Sequence, residues 1–328
     1  STELIAMSLS AIFFGSLVNK INISISSIVG SFAVISGYFI CAFINEIEIL
    51  RLVRAVSGVG SGLLIATGHR VLSASDNPER SYAAFTFLVS ITGACFLFLA
   101  GMVAEEGGYS SLFKTFGFTF LIIFPLTLFA KTKLDSDINQ QPGKSNPSKN
   151  KLFLIIILGV IFFAIPSGGM WAFVERLGVE IGISQYEIGK VIAYSLLVGV
   201  LAPVLVWFLG DRFGRKRPII ICLIIIIISL IYILKSMNFS SYLVGNITWN
   251  FAYMVTVIFV LAAAARLSPD GKLASWLNAS TLLSQASAPI LFGLILTNHS
   301  FPNLLPYLMV LTCLSLFCIF LTKNQLDK

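Results

Sequence analysis

The sequence is poor in charge. Only 11% of its 328 residues are Asp, Glu, Lys or Arg, against about 25% in an ordinary soluble domain. That excludes a normal water-facing globular surface. Histidine is nearly missing, with two residues, and the five cysteines form no Cys-x-x-Cys pair. No metal-ligand constellation follows from them. Cys41, Cys95, Cys222, Cys313 and Cys318 fall inside apolar runs and are expected to pack as buried apolar groups. No Gly-x-x-x-x-Gly-Lys loop is present to cradle a nucleotide phosphate, which argues against direct use of ATP. The catalytic pattern Gly-x-Ser-x-Gly is also missing, and the acids Asp76, Glu79, Asp211 and Asp270 are scattered. No cofactor is expected.

Long apolar runs take the place of charge, and 57% of the chain is hydrophobic. Runs of about 20 apolar residues can cross a bilayer as helices. Eleven occur, at roughly 3–19, 24–44, 49–73, 81–104, 111–130, 151–174, 186–210, 217–235, 240–265, 271–297 and 303–322. The expected class is therefore an all-α integral membrane protein. The first run has no basic leader and leads straight into further spans, unlike a signal peptide.

The net charge is +7, and it is unevenly placed. When loops are numbered alternately, sixteen of the 22 lysines and arginines fall on one side, among them Lys20, Arg70, Arg80, Arg212, Arg266 and Lys323. The opposite loops are acidic or neutral, as in "NEIEI" and "AEEGG". The positive-inside rule places the basic side, and the C-terminus with it, in the cytoplasm. A multi-pass protein of the cytoplasmic membrane is expected, and nucleic acid is not an expected partner.

The longest polar stretch, "TKLDSDINQQPGKSNPSKN" at 132–150, reads as a flexible cytoplasmic linker. It separates an N-terminal bundle, 1–131, with five spans from a C-terminal bundle, 151–328, with six. "GSLVNKINIS" at 15–24 aligns with "WFLGDRFGRK" at 207–216 through an offset of 192 residues, pairing Leu17 with Leu209 and Asn19 with Asp211. This implies a duplicated six-helix unit whose first helix would lie upstream of Ser1.

These features resemble the major facilitator superfamily. "WFLGDRFGRKRP" is similar to the family signature in the cytoplasmic loop between helices 2 and 3, repeated between helices 8 and 9. Leu209, Asp211, Arg212, Gly214, Arg215 and Lys216 match, while Trp207 stands at the first glycine. The earlier copy keeps Gly15 and Leu17 but has Asn19 where the acid belongs. "RAVSGVGSG" is similar to the fourth-helix pattern through Arg54, Gly58 and Gly60. The proline-containing antiporter signature is not evident in "VSITGACFLFLAG". The resemblance implies two pseudo-symmetric bundles showing helices 2 to 12 of twelve. It implies secondary transport of a small solute by alternating access, not an enzyme. A non-transporting or truncated remnant, or a sensor, is the alternative, and an integral membrane enzyme is a more distant one.

The resemblance assigns gating to Asp211, Arg212, Gly214, Arg215 and Lys216, which would stabilise a state closed toward the cytoplasm. For the basic residues, topology alone is the rival explanation. Arg54 lies inside a span, where a charge needs a cavity or a partner. No carboxylate lies beside it in sequence at similar depth, so it suggests an anionic or zwitterionic substrate. A structural pair with Glu46, Glu48, Glu175 or an acid in the helix expected before Ser1 is the competing account. In "GNITWNFAYMVT", Asn246, Trp249, Asn250 and Tyr253 share a face, lining a cavity or packing helices. In "AIPSGGMWAFVER", Pro166 and two glycines predict an interrupted helix. Ser167, Trp171 and Glu175 follow at one-turn steps; the first two are candidate substrate contacts. Glu175 is a coupling candidate for a proton or ion, or a mark of the acidic outer side. Gln285 is the polar group of the tenth span for ligand contact. The remaining expected partner is the lipid bilayer, and no metal is expected.

Overall fold

The computed structural model describes residues 2–128, 147–236, 238–297, 300–323 and 325–327. Most of the expected linker lies outside these residues, and 147–150 already form the first turn of a helix. Among the described residues every regular element is helical: α1 Thr2–Ser16, α2 Ile23–Cys41, α3 Ile47–Ser73, α4 Pro78–Leu128, α5 Pro147–Glu180, α6 Gln185–Gly199, α7 Leu201–Leu209, α8 Lys216–Leu234, α9 Phe239–Leu267, α10 Lys272–Leu296 and α11 Leu305–Leu321, with short 3-10 turns. In hydrocarbon, backbone N–H and C=O groups must be satisfied inside the segment, which favours helices over every open structure.

The eleven expected spans each meet a helix. α4 holds two of them, divided at Gly108, whose φ of 62° and ψ of −163° break the helical run. α6 and α7 together form one span, Gln185–Leu209. Nine described stretches are long and apolar enough to cross a membrane; α1 is apolar but shorter. Starts are set locally. The Asn22 side chain accepts from the Ile25 N–H at 2.9 Å, and Ser184 with Glu187 forms a reciprocal capping box ahead of α6.

The chain divides into two compact units, 1–76 with 91–145 and 268–283, and 77–90 with 146–267 and 284–328. The start of α4 thus belongs to the second unit and the first half of α10 to the first. The 192-residue offset carries 77–90 onto 269–282, so the two displaced segments are repeat equivalents.

In the first unit α3 lies between α1 and α2. Its glycines permit this. A Cβ on Gly58 or Gly62 would come within 2.5 Å of the Glu3 or Met7 carbonyl of α1, and one on Gly60 within 2.8 Å of the Gly30 carbonyl of α2. Small residues let membrane helices approach closely and gain dispersion contact. In the second unit α9 is the most enclosed helix, packed by α6, α7 and α8, while α5 packs on α11. α8 buries Ile219, Leu223, Ile226 and Leu230 and exposes Ile221, Ile224 and Ile228, which explains its all-round apolarity.

Two expectations are corrected. Pro166 does not break its helix: α5 is continuous, with Pro166 inside it. Gly168 and Gly169 serve packing instead, since their Cβ atoms would meet Gln285 Cα at 2.7 Å and Phe292 Cε2 at 1.6 Å. The cysteines are also not uniformly buried. Cys41, Cys222 and Cys318 are buried, whereas Cys95 and Cys313 are exposed.

Candidate functional site

The charged loop 209–217 joins α7 to α8 in the second unit. Gly214 takes a φ of 69°, a left-handed conformation that costs a side-chain-bearing residue. The turn sends Arg215 inward, where it is 4% exposed. Its Nε donates to Glu79 Oε1 at 2.6 Å, and its Nη2 forms an ion pair with the same oxygen at 2.5 Å. Glu79 lies in the first turn of α4 and is fully buried. Its Oε2 is 3.8 Å from Arg266 Nη2 on α9 and accepts no hydrogen bond among the described residues. A carboxylate removed from water in this way is tolerable because a buried guanidinium lies against it as its charge partner.

The segment after α11 closes the same cluster. Asp327 Oδ1 accepts from the backbone N–H of Arg215 at 2.6 Å and of Lys216 at 2.9 Å. The Leu326 carbonyl accepts from Arg215 Nη1 at 3.2 Å, and the Lys323 carbonyl from Lys216 Nζ at 2.6 Å. Asp211 and Arg212 are exposed, and among the described residues neither side chain has a recorded hydrogen bond or ion pair. Of the expected gating group, then, Gly214, Arg215 and Lys216 are brought together. Glu79 and Asp327 complete the cluster.

The degraded copy in the first unit has a parallel arrangement. Asn19 Nδ2 donates to Asp270 Oδ2 at 3.1 Å, and Asp270 Oδ1 accepts from the Lys272 N–H at 3.2 Å at the start of α10. Arg70 Nη1 reaches the Val18 and Ile21 carbonyls at 3.0 and 2.9 Å. Each loop copy therefore sits in the unit that receives a displaced helix start.

A second cluster lies between α5, α9 and α10 of the second unit. Tyr253 stacks on Phe163, with centroids 5.0 Å apart, and its hydroxyl accepts from Gln285 Nε2 at 2.8 Å. Trp249 lies 6.3 Å from Trp171 and 6.5 Å from Tyr253, centroid to centroid. Trp171 is 45% exposed and Trp249 3%. The Trp249 Nε1 donor is buried with no partner among the described residues. The other polar residues of this region find partners within the second unit. Ser167 donates to the Phe163 carbonyl at 3.0 Å, Asn246 to the Tyr242 carbonyl at 2.8 Å, and Asn250 to the Ser195 carbonyl of α6 at 2.6 Å. Glu175 is exposed near the end of α5. An apolar cavity of about 170 Å³ between α8 and α9, lined by Ile225, Ile228, Tyr232 and Val244, contains none of these residues.

Arg54, in the first unit, has a partner that sequence proximity did not suggest. Its Nη2 is bonded to Glu3 Oε2 on α1, and its guanidinium lies 4.9 Å from the Tyr38 ring centroid and 5.5 Å from that of Phe113. The close α1–α3 packing at Gly58 brings Glu3 there. Within the first unit, neither Glu46 nor Glu48 is its partner among the described residues; Glu48 pairs with Arg51 at 2.8 Å on an exposed face.

Glu79, Glu3 and Asp327 were missed as site residues. Glu79 left a faint signal, because the 192-residue offset carries it to within one position of Asp270. For Glu3 and Asp327 no local pattern pointed to their partners.

Residues 156–326, just over half of the chain, match the family model described as Major Facilitator Superfamily. Comparison with curated protein sequences gives no match. Solved structures of similar fold include the human organic anion transporter MFSD10, 14% identical over 97% of this chain and 82% of that one, TM-score 0.79. The proton:xylose symporter XylE is 11% identical over 97% and 83%, TM-score 0.79. The E. coli fucose:proton symporter FucP is 12% identical over 98% and 89%, TM-score 0.76. At such identities the likeness concerns the fold.

Proposed function

The chain belongs to the major facilitator superfamily, and on that premise we propose that its aromatic cluster in the second unit contacts the transported solute. It is a multi-pass, all-α secondary transporter working by alternating access. The cytoplasmic membrane, with the C-terminus inside, is the placement its loop charges favour.

The observation that carries the proposal is the unpaired Trp249 Nε1 beside a half-exposed Trp171 and a Tyr253–Gln285 hydrogen bond. A buried donor without an acceptor costs about 1–3 kcal/mol, and such a cost persists where a ligand relieves it. Flat aromatic walls with one amide and one donor suit a small polar solute that has an apolar face. The similar folds carry an organic anion, xylose and fucose, which accords with that class. Arg54 supports an anionic or zwitterionic group, because its Nη1 is buried with no hydrogen-bond partner among the described residues. Glu3, already on Arg54, is a better coupling candidate than the exposed Glu175: taking up a proton would release the guanidinium. The Arg215–Glu79 pair is the proposed cytoplasmic latch. The protein's work is translocation, with no bond-making chemistry.

The test is a thermal-shift screen of the purified full-length protein against sugars, organic anions and amino acids. It is repeated on Trp249→Phe, which removes the unpaired donor along with some packing, so stability changes little. Ligands that stabilise the native protein should lose most of their shift on this variant and on Trp171→Ala. Equal shifts on all three proteins would remove the aromatic cluster from the binding site.

A further inference from the structure

We propose that Asp327 is a positioning residue for the latch: it fixes the start of α8 so that Arg215 meets Glu79. This rests on reading Arg215–Glu79 as the latch, but the geometry stands apart from any transport measurement.

α8 begins without a cap of its own. Arg215, its N-cap residue, offers no side-chain cap, because a guanidinium carries donors only and cannot accept from a free N–H. The first N–H groups of a helix need acceptors. Asp327, more than a hundred residues away, supplies one oxygen to two of them, Arg215 N at 2.6 Å and Lys216 N at 2.9 Å. A carboxylate there also suits the positive end of the helix. The neighbouring Leu326 is 2% exposed, so the segment is anchored by burial as well as by charge.

The guanidinium is held at both ends. Nη1 donates to the Leu326 carbonyl at 3.2 Å, which directs Nε and Nη2 at Glu79 Oε1. Arg215 therefore has its backbone fixed by Asp327 and its side chain aligned by the residue before it. Gly214 acquires a specific reason in this arrangement. A Cβ there would lie 2.7 Å from Asp327 Oδ1, so any side chain would displace the capping carboxylate as well as strain the turn. Lys216 adds a third tie through Nζ to the Lys323 carbonyl at 2.6 Å.

A plain helix cap and a positioning residue differ in one measurable way. A plain cap contributes the same stability whether or not Glu79 carries its charge. A positioning residue loses much of its effect when the group it serves is removed. The experiment is a thermal-unfolding cycle on the full chain in detergent: native protein, Asp327→Ala, Glu79→Gln and the double variant. Neighbours in one network couple, whereas independent sites add. We expect the Asp327→Ala shift to fall by about half or more in the Glu79→Gln background, as coupled sites in one network do. Asp327→Glu should restore part of the loss. If Asp327→Ala expresses poorly, Asp327→Leu replaces it, since it keeps comparable bulk and offers no acceptor to the two N–H groups. Additive shifts, or no shift for either Asp327 variant, would overturn the proposal. A latch without a role in transport would show separately, as strong coupling in this cycle with transport unaltered in Glu79→Gln.

Discussion

Arg215→Ala tests the energetics of the second-unit cluster most directly. The substitution removes the Nε donor and the ion pair to Glu79 Oε1 and the donor to the Leu326 carbonyl. Glu79 stays fully buried, with Arg266 3.8 Å away as its nearest recorded cation. Removing one partner of a buried pair typically costs about 3–5 kcal/mol, because the other charge is left uncompensated. The lost bond to Leu326 adds about 1 kcal/mol. The low end of that sum, about 4 kcal/mol, corresponds to roughly a thousandfold in the folding equilibrium. The asymmetry is the sharper test. Adding Glu79→Gln to Arg215→Ala removes the stranded charge, so the double variant should be more stable than Arg215→Ala alone. Arg215→Lys keeps the charge but not the planar guanidinium that meets Glu79 and the Leu326 carbonyl together, and should fall between Arg215→Ala and the native protein. Reversible unfolding in mixed micelles, followed by tryptophan fluorescence, measures all four. If Arg215→Ala lost less than about 1 kcal/mol and Glu79→Gln rescued nothing, the pair would be behaving as a solvated surface contact and the argument from burial would fail.

Two further predictions concern packing in the same unit. Gly169→Ala places a Cβ 1.6 Å from Phe292 Cε2, so the ring must move and stability should drop by about 1–3 kcal/mol; Gly293→Ala, with nothing within 4 Å, is the control that should stay near native in the same unfolding assay. Asn250→Ala removes the α9–α6 bond to the Ser195 carbonyl and should cost about 0.6–1.7 kcal/mol, the range of interhelical bonds in membranes, without altering any ligand-induced thermal shift; a lost ligand shift at native stability would instead make Asn250 a substrate contact.

Much of the architecture was legible in the residues. The run lengths predicted eleven helices, and helices occur at each. The offset between "GSLVNKINIS" and "WFLGDRFGRK" anticipated a repeat, and the displaced segments 77–90 and 268–283 obey it. The candidate residues were only partly legible. Trp171, Trp249, Tyr253 and Gln285 do come together, because helical periodicity decides which residues of α9 share a face. Their roles then diverge. Asn250 turns to α6, while Tyr253 meets Gln285 of α10. Pro166 predicted a break that α5 does not make, since a proline removes one hydrogen bond but neighbouring helices can hold the remainder.

The sequence by itself determined the features that arise from contiguous residues. The bilayer sets a minimum apolar length, backbone satisfaction forces helices, and the side of the basic loops favours an orientation. The family signature is likewise a local string. Only the tertiary structure decided where the charges find partners. Arg215 meets Glu79 across 136 residues and Asp327 across 112, and Arg54 meets Glu3 across 51. Such pairings follow from how glycine faces let helices approach and from the displacement of two helix starts between the units. Both depend on the sum of many packing contacts, which no single stretch of sequence carries.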